Sequence, residues 1–274
     1  MANTFHSARK LFFNIVYYVV CRVYLQSILS NLHLFSLFGM GFIKSGNPQK
    51  SGEIKTIGYV LKKLSNASDL VIFDVGANVG NYTLAVLKLL GKTPASVHSF
   101  EPSKSAFAKL QENTNGAKNV FLHNLGLGQE GKNATLFYDA QASGFASLYK
   151  RRLDHFNIHM DFSETVSITT IDVFCRQQDI KRIHFLKMDV EGYELNVLRG
   201  ASGMIESKLI DFIQFEFGGC NIDSRTFFQD FYYLLSPHYR IYRIVQDGLY
   251  RINDYQETQE IFMTANFLAE AIKN

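Results

Sequence analysis

Short runs of β-branched and aromatic residues recur along this chain, and between them the apolar positions fall at helical spacing. Val71, Ile72, Phe73 and Val75 form one such run and read as a strand buried on both faces. The turn Gly76-Ala-Asn-Val-Gly80 follows. Residues 82–90 then read as a helix with Leu84, Val86, Leu87, Leu89 and Leu90 along a broad apolar stripe. Upstream, residues 53–64 carry Ile54, Ile57, Val60, Leu61 and Leu64 on one helical face. Further strands are expected at 96–100, 119–123, 183–188 and 209–217, with a closing pair at 239–245 and 261–267. Helices are expected at 104–112 behind a Ser103 cap, from Thr170 or Asp172 to about residue 178, up to Leu198, and over 227–235. Residues 134–138 and 165–168 read as two more strands flanking a polar loop. The alternation predicts an α/β fold: a doubly wound, mostly parallel seven-stranded sheet with one antiparallel strand.

Residues 1–50 depart from this pattern and read as a helical extension and linker, leaving 51–274 as the α/β domain. Lys10, Asn14, Tyr18, Arg22, Gln26 and Ser30 recur every four residues, a narrow polar stripe on a mostly apolar helix. No small-residue cleavage site marks a secretory signal, and Arg22 and later polar residues dilute the run below a membrane span. A helix of this kind must bury its wide face. Docking onto its own domain as a lid, or onto a second copy, is the first expectation; peripheral contact of residues 7–43 with a membrane surface is the second. The polar segment KSGNPQKS at 44–51 is the natural boundary.

Composition narrows the picture only a little. The chain is 47% hydrophobic, so a sizeable core is expected, and its net charge of +3 is too weak to argue for a nucleic-acid partner. Cys21, Cys175 and Cys220 are far apart and form neither a disulfide framework nor a zinc pattern, which suits the cytoplasm, with membrane association as the variant.

The chemistry concentrates at strand ends. A glycine turn between strand and helix lets a backbone approach a ligand closely. The spacing G-x-x-x-G is not that of a dinucleotide site, and Asp74 beside it suits a sulfonium or ammonium better than a phosphate. Both features favour S-adenosylmethionine over NAD. Glu101, 27 residues after Asp74 and followed by Pro102, ends the second strand where a carboxylate can take both ribose hydroxyls. Asn124 ends the third strand on the adenine side. In the polar loop, residues 143–148 include Ser147, a candidate substrate contact, while the trio Lys150-Arg-Arg152 reads first as a solvated face and second as a hold on an anionic substrate.

The motifs FDVGANVGNYT (73–83), FEP (100–102), LKMDVEGYELNVLRGA (186–201) and FIQFEF (212–217) occur in this order. In them the chain resembles the FkbM family of S-adenosylmethionine-dependent methyltransferases, which have the class I, Rossmann-like methyltransferase fold. TTID (169–172) resembles a further family element, with Ile171 in place of leucine, and Gly126 stands where the family more often carries alanine. The resemblance covers roughly residues 69–220. It implies that Asp74, Gly76, Asn78 and Gly80, with their neighbours Ala77, Asn81 and Tyr82, hold the methionine part of the cofactor. Glu101 and Pro102 would take the ribose, and Asn124 the adenine side. It also implies O-methylation of a saccharide or secondary metabolite.

Methyl transfer to an alcohol needs help in removing its proton. Asp189 and Glu191, after the strand at 183–188, stand at the switch point of such a sheet, and Glu216 ends the neighbouring strand. Asp189 is the expected general base and Glu191 the group that orients the acceptor, with Glu216 a second substrate contact. The three carboxylates would also suit a divalent cation, which remains an alternative rather than an expectation. Glu194 reads as favouring a helix start. Lys187, on a buried strand, either pairs with an acid or points into the site. The competing reading is a non-catalytic S-adenosylmethionine-binding module.

Overall fold

The computed structural model describes residues 16–42 and 52–273. The strands are β1 (Leu70–Val75), β2 (Ala95–Phe100), β3 (Val120–His123), β4 (Gly126–Leu127), β5 (Lys132–Tyr138), β6 (Phe162–Thr169), β7 (Ile183–Met188), β8 (Ile210–Phe217), β9 (Tyr239–Val245), β10 (Gly248–Ile252) and β11 (Ala265–Ala271). The main sheet has the order β10-β9-β11-β8-β7-β1-β2-β3. Its β3-β2-β1-β7-β8 portion is parallel throughout. The chain leaves β1 in one direction and returns beside it in the other at β7, so the carboxyl ends of β1 and β7 form the switch point of a doubly wound fold.

Seven of these strands are the expected ones. The eighth is β10, which pairs antiparallel with β9 at the edge. Of its five residues, GLYRI, only Ile252 is buried. β11 starts four residues later than the expected 261 and sits between β8 and β9, antiparallel to both. Two strands therefore run against the rest rather than one.

Both faces of β1 are covered, which explains its unbroken apolar run. On one face Ile72 packs in a cluster with Ile57 and Val60 from the helix Glu53–Lys63 and Val86 and Leu90 from the helix Asn81–Leu90. On the other face Phe73 meets Phe174 edge-to-face, with ring centroids 5.7 Å apart. Burying each such side chain contributes roughly 1.5–3 kcal/mol.

A second sheet, β4-β6-β5, carries the two strands read around the polar loop and adds Gly126–Leu127, expected as part of a turn. Local capping follows the sequence at Thr170, whose side chain accepts from the Val173 amide. Asp172 instead accepts from the amides of Gly203 and Met204, at the start of the next helix, Ser202–Glu206. Ser103 is the N-cap of the helix Lys104–Asn113 but makes no side-chain cap bond.

The described residues 16–42 belong to a compact unit separate from the α/β domain, and the expected boundary at 44–51 falls outside the described residues, as do Lys10 and Asn14. The described part is not one continuous helix. Arg22 is extended (φ −125°, ψ 142°) and interrupts it before a turn at Val23–Leu25 and the helix Gln26–Gly39. Among the described residues no helix is long and apolar enough to cross a membrane.

Candidate functional site

The turn after β1 meets the turn after β7, and glycine makes that possible. Gly76 has φ +79°, and a Cβ on it would stand 1.9 Å from the Asp189 carbonyl oxygen. Only a residue without a side chain lets the two strand ends approach so closely. Gly80 (φ +91°) serves another purpose: a Cβ there would meet Leu110 at 2.7 Å, so it lets the turn pack against the helix Lys104–Asn113.

Beside this contact lies a cavity of about 420 Å³. Its walls include the sequence-expected Gly76, Asn78, Asn81, Glu101, Pro102, Ser147, Asp189 and Glu191. Phe100, Leu127, Leu136, Ala146 and Leu148 give it an apolar side. A smaller hollow of about 210 Å³ shares Gly76, Asn78, Asn81 and Asp189, and adds Ala77, Tyr82 and Lys187. The loop between β5 and β6 contributes to the larger cavity. It is tied to the turn by the Asn78 side-chain amide, which donates to the Ser143 carbonyl at 3.3 Å. The Ser147 hydroxyl donates to the Glu191 carbonyl at 2.7 Å.

Glu101 accepts from the backbone amides of Asn78 and Ser103, each at 2.8 Å. Burial pushes its carboxyl up to about 7, against those two bonds, which favour the charged form. A carboxylate has about four acceptor sites, so each oxygen keeps capacity for a donor from the cavity. Asn124 does not line the cavity. Its side-chain amide donates to the carbonyls of Glu101 (2.9 Å) and Pro102 (3.1 Å), fixing the bend that aims Glu101.

Asp74 also turns away from the cavity. One oxygen accepts from the Thr83 hydroxyl at 2.7 Å, and the other lies 3.2 Å from Lys187 Nζ. Lys187 Nζ is in turn 3.8 Å from Asp189 and 4.8 Å from the centre of the Tyr82 ring. Burial works against the Lys187 ammonium, but the carboxylates of Asp74 and Asp189 outweigh it and hold its pKa above the ordinary lysine value. Lys187 therefore both pairs with acids and reaches the smaller hollow.

Carboxylate oxygens of Asp189, Glu191 and Glu216 lie within 4.8 Å of one another, close enough for a cation. Glu216 is 5% exposed and stands behind the cavity lining rather than in it. Arg151, expected on a solvated face, instead has a side chain only 8% exposed, ion-paired with Glu191 and 3.7 Å from Asp223. No local signal marked it, because its partners are 40 and 72 residues away. Glu194 accepts from the amides of Val190 (2.9 Å) and Gly192 (3.0 Å), closing the turn that carries Asp189 and Glu191. Burial pushes it up to about 8.

The residues suit the expected cofactor. The cavity has the volume, apolar walls and few placed polar groups of a small-molecule site. Asn78 Oδ1 is buried there without a hydrogen-bond partner, an acceptor available to a ligand.

Comparison with known proteins agrees. Methyltransferase 1 of Beauveria bassiana is 30% identical over 148 residues, 48% of this chain and 58% of its own length. Hexuronic acid methyltransferase AglP of Haloferax volcanii is 25% identical over 156 residues, 57% of this chain and 59% of its own length. Matches thus span under three-fifths of these relatives. A solved methyltransferase FkbM from Methylobacillus flagellatus aligns with a TM-score of 0.43 at 20% identity, over 73% of this chain and 43% of that one, too distant to add to the strand order. The model of the methyltransferase FkbM domain matches residues 74–252, well over half of the chain and every residue named above as lining the larger cavity. The chain belongs to the FkbM methyltransferase family.

Proposed function

We propose that the domain binds S-adenosylmethionine in the larger cavity and transfers its methyl group to a hydroxyl of a saccharide or another small acceptor. One observation carries this reading: Glu101 and Asp189, from strands on opposite sides of the Gly76 turn, line the same cavity. When bound, the cofactor supplies an electrophilic methyl carbon on a sulfonium. Glu101 takes the ribose hydroxyls, the backbone of 76–81 lines the methionine side, and the apolar wall of Phe100, Leu127 and Leu136 takes the base.

Asp189 removes the acceptor proton as the oxygen attacks, a contribution of about 10²–10⁴ in rate for a positioned base. Glu191, held by Arg151, orients the acceptor. Asp74 serves from behind, through Lys187, rather than by touching the cofactor. A cation at Asp189, Glu191 and Glu216 is not needed for this scheme.

Hexuronic acid, named for the Haloferax relative, offers hydroxyl and carboxylate oxygens. Asp189 and Glu191 on the acceptor side, with Glu216 behind them, disfavour an anionic oxygen there by like-charge repulsion, and a carboxylate needs no base. Both points favour a hydroxyl. The test is methyl transfer from labelled cofactor into a panel of uronic acids and neutral saccharides, with the linkage read by mass spectrometry. Ether products support the proposal. Methyl esters alone, or no transfer by protein that binds the cofactor, overturn it and leave, in the second case, a non-catalytic binding module.

A further inference from the structure

Bases and acids intermingle only beyond Gly52. Residues 1–52 contain Arg9, Lys10, Arg22, Lys44 and Lys50 and no Asp or Glu at all. The remaining 222 residues hold the other 23 bases and all 25 acids, a net of −2. Such separation of charge within one chain marks a segment built for an anionic partner.

The same segment shows large apolar side chains to solvent. On the helix Gln26–Gly39, Ile28 is 57% exposed, Leu32 57%, Leu34 43%, Phe35 76% and Phe38 58%. At 100° per residue these five positions cover an arc of about 160°. Ser27, Asn31 and Gly39 also fall within this arc, while Gln26, Ser30, His33 and Ser36 share the rest with half-buried Leu29 and buried Leu37. Just before the helix, Val23 is 92% exposed and Tyr24 76%. Solvated apolar groups at this density mark an interaction surface. A polyanion such as RNA would use the cations and leave the aliphatic and phenylalanine side chains wet. A protein partner would use the apolar arc without asking for the complete removal of acids.

We infer that this face of residues 23–39 lies on an anionic lipid bilayer, its apolar arc in the headgroup region and the flanking cations against lipid charges. The helix has 14 residues and rests in the surface rather than crossing it.

The test is co-flotation of the full chain with vesicles of phosphatidylcholine alone and of phosphatidylcholine with about one-third phosphatidylglycerol. The bound fraction is measured at low and high salt, with the doubly substituted variant Phe35→Asp/Phe38→Asp run alongside. The expected result is flotation with the anionic vesicles that is weakened by salt and lost at least tenfold in the variant. Calorimetric binding of S-adenosylhomocysteine, unaffected in the variant, shows that it is folded and separates this proposal from the functional one. Folded chain that floats with neither vesicle overturns the inference. So does a dimer in light scattering that the variant makes monomeric while vesicle binding stays absent, which would make a second copy the occupant.

Discussion

Lys187 and Asp74 face each other in register on the parallel strands β7 and β1, their charges 3.2 Å apart and both almost wholly buried. The pair stands behind the cavity rather than in it. Through its second contact, at 3.8 Å, Lys187 also reaches Asp189, so an internal ion pair fixes the carboxylate proposed to act on the acceptor.

Breaking that pair from one side leaves a buried carboxylate without its cation. Lys187→Met is therefore expected to destabilise the protein by about 3–5 kcal/mol. The double variant Asp74→Asn/Lys187→Met, which removes both charges, should recover much of the loss. Urea unfolding of both variants, read as a double-mutant cycle, checks this; equal losses would deny the coupling.

Gly76→Ala should be among the most damaging single-methyl changes in the domain. The added carbon would collide with the Asp189 carbonyl, in a backbone conformation that side chains resist. A loss of at least about 3 kcal/mol is expected from the strain and the displaced strand end. Thermal unfolding measures it, and a change within about 0.5 kcal/mol, the range of ordinary surface substitutions, would contradict the geometry.

Glu101 links stability to pH. Its folded pKa of about 7 lies above the ordinary 4.5, so the folded state holds the proton more tightly than the unfolded chain. Between those values its contribution to stability falls as pH rises, by about 3 kcal/mol in all. Glu194, pushed up to about 8, adds a slope of the same sign, so the readout is the difference between wild type and Glu101→Gln. The variant should show a flatter stability profile from pH 4.5 to 7. It should also bind S-adenosylhomocysteine at least tenfold more weakly at pH 8, where the wild-type carboxylate is ionised and accepts fully. A variant as pH-dependent as wild type would move the titration elsewhere.

Much of this was legible in the residues because it is local. The run Val71–Val75, the glycine turn and the helix after it are one continuous signal, and Phe100-Glu101-Pro102 ends a strand in three letters. What stayed hidden depends on partners distant along the chain. Nothing near Asp74 says that it turns toward Lys187, 113 residues later, instead of toward the cavity. Arg151 looks solvated beside Lys150 and Arg152 until the fold brings Glu191 and Asp223 to it. Glu194 reads as an ordinary acid at a helix start until its two amide partners close the turn. β10 is missed because an edge strand paired on one side needs little apolar pattern.

Asp189→Asn separates binding from chemistry. The substitution keeps the size of the side chain and an oxygen, so cofactor affinity should change by less than about threefold, while turnover on a hydroxyl acceptor falls by about 10²–10⁴. Single-turnover kinetics with a pre-bound cofactor read the chemical step directly. Unchanged turnover would place the base elsewhere.

The most direct measurement of the central claim is calorimetric titration of the folded chain with S-adenosylmethionine, S-adenosylhomocysteine and NAD. The account predicts one saturable site for each of the first two, weakened in Glu101→Gln, and none for NAD. Folded protein that binds neither of the first two, or that takes NAD in their place, would contradict it.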